Sequence, residues 1–189
     1  MDEPYPQLVG KELNIANVKN LGVSGATFCK NDQDAVCMTE NIISYSQKAD
    51  IISVLLGVND YNRSFPLGQL DDKTADTIYG CLHLIAEHLT TTHENAFVFF
   101  MTPYKERSSW SDNEEYKLTD VVEAIRIVGS QYHIPVLDLH NTGRYEEVEM
   151  YNTDNDGLHP SPEFIRDYAA PQIAQFIKDY YPKAMNLDR

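Results

Sequence analysis

Three short, unbroken apolar runs constrain this chain more than any other feature. Ala49 to Gly57 reads ADIISVLLG, Ala96 to Pro103 reads AFVFFMTP, and Ile134 to Leu139 reads IPVLDL. A strand with one wet face alternates apolar and polar residues, whereas a strand covered on both faces of a parallel sheet is apolar throughout. The runs therefore predict buried parallel strands. A fourth, weaker strand is expected over Asn14 to Val23, running into Gly22-Val23-Ser24-Gly25.

Helical spacing fills the intervals. Ala75, Ile78, Tyr79, Leu82, Ile85, Ala86 and Leu89 share one face of a 3.6-residue period, as do Leu118, Val121, Val122, Ile125 and Val128. Ser111-x-x-Glu114 has the capping-box pattern before the second of these. Ser161-Pro162 reads as an N-cap followed by proline at the first helical position, and opens a last helix that turns Ile165, Tyr168, Ala169, Ile173, Phe176 and Ile177 inward. Pro171 lies within that helix and is expected to kink it. Strand and helix alternate, so the expected fold is α/β, a doubly wound and mostly parallel sheet in one domain over residues 1–189. Ligands of such sheets bind beyond the carboxyl ends of the strands, which directs attention to the strand-to-helix loops.

Charge removes several classes of partner. Twenty-nine acidic residues against 15 Lys plus Arg give a net charge of −14, without a basic cluster to offset phosphate repulsion. No nucleic-acid partner is expected, nor an anionic membrane surface. No apolar run approaches a transmembrane span, so no membrane insertion is expected. Cys29, Cys37 and Cys81 form no C-x-x-C pair, which indicates neither a zinc site nor a disulfide framework. A reducing compartment is the default, and the expectation is a cytoplasmic protein.

Three loops carry residues that are unusual for plain structure: Gly22-Val23-Ser24-Gly25-Ala26-Thr27, Gly57-Val58-Asn59-Asp60 and Asp156-Gly157-Leu158-His159-Pro160-Ser161. Singly, each has a structural explanation in turn chemistry. In this order they resemble the SGNH hydrolases, the GDSL-type esterase and lipase family. Asn20 to Thr27 matches its second block, Gly57 to Asp60 its Gly-x-Asn-Asp block, and Asp156 to Pro160 its Asp-x-x-His-Pro block. The resemblance spans nearly the whole chain. It implies a three-layer α/β/α sandwich of flavodoxin-like type and hydrolysis of a small acyl ester, an acylated carbohydrate among the candidates, without metal or organic cofactor.

The roles follow by resemblance. The Gly25 N–H and the Asn59 amide would hold the negative oxygen of a tetrahedral intermediate, Gly25 because the carbonyl must approach the backbone closely. His159 would be the general base, since imidazole can both take up and return a proton near neutral pH. Asp156, three residues earlier, would hold its working tautomer. Asp60 and Tyr104 would lie on the substrate side, with Trp110 in the same long loop.

One block of the family's pattern is not matched. Its Gly-Asp-Ser segment, which follows the first strand and brings the nucleophile, has no counterpart here, and no serine precedes Ser24. Tyr5-Pro6 with Leu8, Val9 and Leu13 reads as the helix after that segment. The chain is therefore expected to be N-terminally incomplete, to lack the first strand, and to be inactive as given. A noncatalytic acyl- or sugar-binding protein of the same fold is the alternative.

Two further readings compete. Gly22-Val23-Ser24-Gly25-Ala26 approximates a Gly-x-Ser-x-Gly elbow, which requires a helix directly after its serine. Asn152-x-Asp154-x-Asp156-Gly157 with Glu163 approximates a calcium loop, but Pro160 and Pro162 interrupt it. His83, His88 and His93, spaced by five, are expected at the helix surface, and His140 in a structural role.

Overall fold

The computed structural model of the chain describes residues 3–30, 36–106, 111, 113–142 and 157–181. In chain order the elements are α1 (Tyr5–Leu13), α2 (Met38–Ser44), β1 (Ile51–Leu55), α3 (Val58–Asn62), α4 (Ile78–Thr92), β2 (Phe97–Met101), α5 (Leu118–Gln131), β3 (Val136–Leu137), α6 (Leu139–Thr142), α7 (Pro162–Phe164), a π turn (Ile165–Ala169) and α8 (Ala170–Tyr180). They divide into two compact units. One holds the described residues of 3–22, 105–106, 141–142 and 157–181, and the other those of 23–104 and 111–140.

The larger unit contains the sheet. All three apolar runs become strands, in the order β1-β2-β3, with both pairings parallel. Ile51 to Leu55 pair in register with Phe97 to Met101, and Phe100 and Met101 with Val136 and Leu137. Phe99 and Phe100 are adjacent, so their side chains point to opposite faces, yet both are fully buried. This is why the run is continuously apolar. On one face, Ile78, Leu82, Ile85 and Leu89 of α4 pack with Val121, Ile125 and Val128 of α5, closed by Phe28 and Phe100.

Local chemistry sets the helix ends. Thr77 caps α4 by accepting from the Gly80 amide at 3.1 Å. The capping box expected at Ser111 is not formed. The helix begins seven residues later at Leu118, with the Lys117 N–H donating to Asp120 Oδ2 at 2.7 Å. Ser111 instead donates its hydroxyl to the Tyr61 carbonyl at 2.9 Å and accepts from the Asn113 amide at 2.9 Å. A serine that finds such partners in a turn does not need a helix to satisfy it.

The histidine expectation also needs correction. His83 is buried, with Nε2 donating to the Leu70 carbonyl at 2.8 Å, because a carbonyl can only accept. That tautomer leaves Nδ1 to accept from Lys73 Nζ at 2.9 Å. His93 is likewise buried, its Nε2 3.2 Å from the Tyr45 carbonyl. The His140 backbone N–H donates to Thr102 Oγ1, whose own hydroxyl donates to Asp138.

In the smaller unit, α1 packs against α8, burying Val9 and Leu13 of one and Ile173, Ala174 and Ile177 of the other. Asn14, in the left-handed conformation at φ 55°, ends α1. The strand expected from Asn14 is not present. Residues 15–23 are irregular, with Leu21 53% and Val23 44% exposed. An extended stretch becomes a strand only by bonding to a neighbour, and no ladder partner pairs with it among the described residues. At the other end of the unit, Ser161 Oγ accepts from the Phe164 amide at 3.1 Å, the predicted cap. Near Pro171 the helix changes pitch, with the Ala170 N–H bonding back to Ile165 in a π turn. Proline cannot donate one turn back, and the widened turn just before it absorbs the mismatch.

Candidate active site

The carboxyl end of β1 leads through Gly57, at φ 112°, into the five-residue α3. A side chain on Gly57 would be strained there and would meet Val121 at 2.9 Å and Phe28 at 3.2 Å. Glycine thus allows the chain to turn sharply against α5 and present Asn59 and Asp60 on successive positions. Opposite them lies the turn at Ser24-Gly25. Gly25 has φ 74°, and the Ala26 amide donates to the Val23 carbonyl at 3.2 Å. Thr27 then forms a parallel bridge with Cys37.

Two adjacent side chains fasten these segments together. Asn59 Nδ2 donates to the Ala26 carbonyl at 2.9 Å, which uses one of its two amide hydrogens. The Asp60 carboxylate accepts from the Phe28 amide at 2.9 Å through one oxygen and from the Cys29 amide at 3.0 Å through the other. Asp60 is 0% exposed. It was expected on the substrate side, and the structure places it behind the turn instead, where backbone donors occupy both oxygens. Burial pushes its pKa up to about 6, while the two backbone N–H groups pull the other way. The Ser111 bond to Tyr61 anchors the same short helix from outside, and the Tyr116 hydroxyl donates to the Phe65 carbonyl just beyond it.

Arg63 is the residue that sequence reasoning missed. It stands four positions after Asn59, one helical turn on, and a Cβ built on Gly25 would come 3.4 Å from its Nη2. Its guanidinium makes no hydrogen bond or ion pair among the described residues, although the chain carries 29 acidic residues. The i, i+4 spacing from Asn59 was the available signal.

The structure brings Gly25, Asn59 and Asp60 together in the larger unit. Tyr104, half-buried, follows the Thr102-Pro103 end of β2 in that unit. His159 lies in the smaller unit, exposed, two residues after Gly157 at φ 75° and two before the Ser161 cap. Asp156, Trp110 and the calcium-type positions Asn152 and Asp154 lie outside the described residues. Ser24 is exposed and no helix starts in residues 25–30 after it, so the elbow geometry is not formed. Among the described residues, no group of three or more His, Cys, Asp or Glu is placed to hold a metal ion, and no helix is long and apolar enough to cross a membrane.

A parallel sheet flanked by helices, with a Gly-turn and a Gly-x-Asn-Asp helix joined beyond β1, is an α/β fold that matches SGNH hydrolase structures. The sequence matches the GDSL-like Lipase/Acylhydrolase family over residues 2–164, and the chain belongs to that family. A solved protein from Lactobacillus plantarum is 28% identical, with a TM-score of 0.82 over 94% of this chain and 88% of that one. The M. smegmatis aryl esterase is 17% identical, with a TM-score of 0.63 over 93% of this chain and 84% of its own. A carbohydrate acetylesterase family member from Sinorhizobium meliloti is 16% identical, with a TM-score of 0.63 over 97% and 87%. No curated protein matches the sequence.

Proposed function

We propose that this chain carries the oxyanion and base parts of a serine-type esterase site for small carboxylic esters, acylated carbohydrates included. The observation that carries the reading is the bond from Asn59 to Ala26, because it fixes the Asn59 amide against the residue that follows Gly25. Two fixed donors at one point suit an oxygen that gains charge as a carbonyl becomes tetrahedral. Family membership and the esterase names of two fold relatives support the same chemistry.

In this reading, a serine hydroxyl attacks the acyl carbon while His159 takes its proton. Asp156 holds the imidazole in the tautomer that can accept. The oxyanion collapses as His159 returns the proton to the leaving alcohol, and water then repeats the sequence to release the acid. The sheet in this reading is the doubly wound, three-layer kind. These 189 residues contain no Gly-Asp-Ser, so the chain as given binds the acyl group without forming an acyl-enzyme.

Labelling with a fluorophosphonate tests this. The 189-residue chain should stay unlabelled, and a form preceded by a strand ending in Gly-Asp-Ser should label in a His159-dependent way. Labelling at Ser24 would overturn the assignment. An extended form that binds esters but never labels would favour the noncatalytic alternative.

Arg63 bears on the product, a carboxylate. Arg63→Gln should weaken acetate binding about 3- to 5-fold, the range of an exposed charge pair. The check is an acetate titration followed at the Gly25 amide by NMR, and an unchanged midpoint would remove Arg63 from the site.

A further inference from the structure

The larger unit contains three thiols that the proposed chemistry does not use. Cys29 and Cys81 are 0% exposed and Cys37 is buried. Cys81, in the first turn of α4, has its sulfur 3.5 Å from that of Cys29 and 3.4 Å from the Ala75 carbonyl. Cys37 points elsewhere, donating to the Phe28 carbonyl at 3.2 Å. The first two sulfurs are thus already in van der Waals contact. Bonding at roughly 2.05 Å asks them to close by about 1.5 Å.

We propose that Cys29 and Cys81 are a disulfide site, oxidised by a low-molecular-weight disulfide and tying the Thr27–Cys29 segment to the start of α4. The exchange balances as two thiols plus glutathione disulfide giving one protein disulfide plus two glutathione thiols. One protein thiolate attacks the glutathione disulfide and expels the first glutathione. The second attacks the mixed disulfide at the protein sulfur and expels the other. The hydrogen bond with Cys81 and burial hold the Cys29 thiol protonated in the folded chain. Exchange therefore proceeds during folding or local opening, and the folded pair is shielded afterwards. The bridge would close a loop of 52 residues, long enough to restrict the unfolded chain substantially.

The test is to refold the whole chain in a mixture of oxidised and reduced glutathione, then count thiols in denaturant and map peptides without reduction. The expected result is a fall from three thiols to one, with Cys29 and Cys81 in one cross-linked peptide. Tm should rise by roughly 10 °C and return after reduction with dithiothreitol in denaturant and refolding. Cys37→Ala, which leaves the pair in place, should still lose two thiols. Three surviving thiols, or a cross-link that includes Cys37, would overturn the proposal.

Discussion

Asp60→Ala should destabilise the fold by about 2–5 kcal/mol, because its carboxylate is what satisfies two buried backbone amides. The substitution strands the amides of Phe28 and Cys29, two buried residues, without their acceptor. Each unsatisfied buried donor costs roughly 1–3 kcal/mol. Asp60→Asn should recover only part of this, since one of its two terminal atoms is itself a donor and would face a backbone N–H. Urea unfolding measures both, and a loss below about 1 kcal/mol for the alanine variant would show that the turn is held by something else.

The same residue sets a pH signature. Its pKa is raised in the folded state, so folding favours the protonated form. This contribution to stability is fully present below the unfolded value near 4 and is lost as pH rises through about 6, some 3 kcal/mol in all. The difference in stability between wild type and Asp60→Asn should therefore shrink as pH rises from 4 to 6. A flat or opposite difference would mean that the two backbone donors outweigh burial.

Gly80→Ala should cost about 3 kcal/mol or more. A Cβ there would sit 1.9 Å from the Thr74 carbonyl oxygen and 2.9 Å from its nitrogen. Both are backbone atoms of a loop pinned nearby, by Ile78 N–H to Pro66 and Thr77 Oγ1 to Asp72. Alanine's better helix propensity returns only about 1 kcal/mol, less than the cost of forcing that loop outward. Gly22→Ala is the control, because its Cβ would approach only the Asn20 side chain at 3.0 Å, in an exposed turn. Thermal unfolding of the two variants should separate them clearly, and equal Tm values would refute the clash.

The parts of the fold that local composition dictates were readable in the sequence. The three apolar runs became β1, β2 and β3, and the Ser161-Pro162 cap opened its helix as expected. Features that depend on a distant partner were not readable. Residues 15–23 have the makings of a strand but no ladder among the described residues. His83 is buried because Lys73 and Tyr132 reach it from 10 and 49 positions away. At the candidate site, Gly25 and Asn59 were legible as a resemblance. The inward turn of Asp60 was not, because residue type does not reveal which side of a five-residue helix faces the core. Arg63 was hidden for a related reason, as one charged side chain among many until Gly25 is placed beside it.

The Asn59-Asp60 pair has a consequence for engineering. The segments 24–29 and 57–61 are fastened to each other by neighbouring side chains, Asn59 to the Ala26 carbonyl and Asp60 to the amides of Phe28 and Cys29. A library that randomises the first segment alone keeps its geometry only if two consecutive amides still reach a buried acid. Grafting either segment by itself into another scaffold should yield a floppy loop, whereas moving both together should carry the paired turn intact.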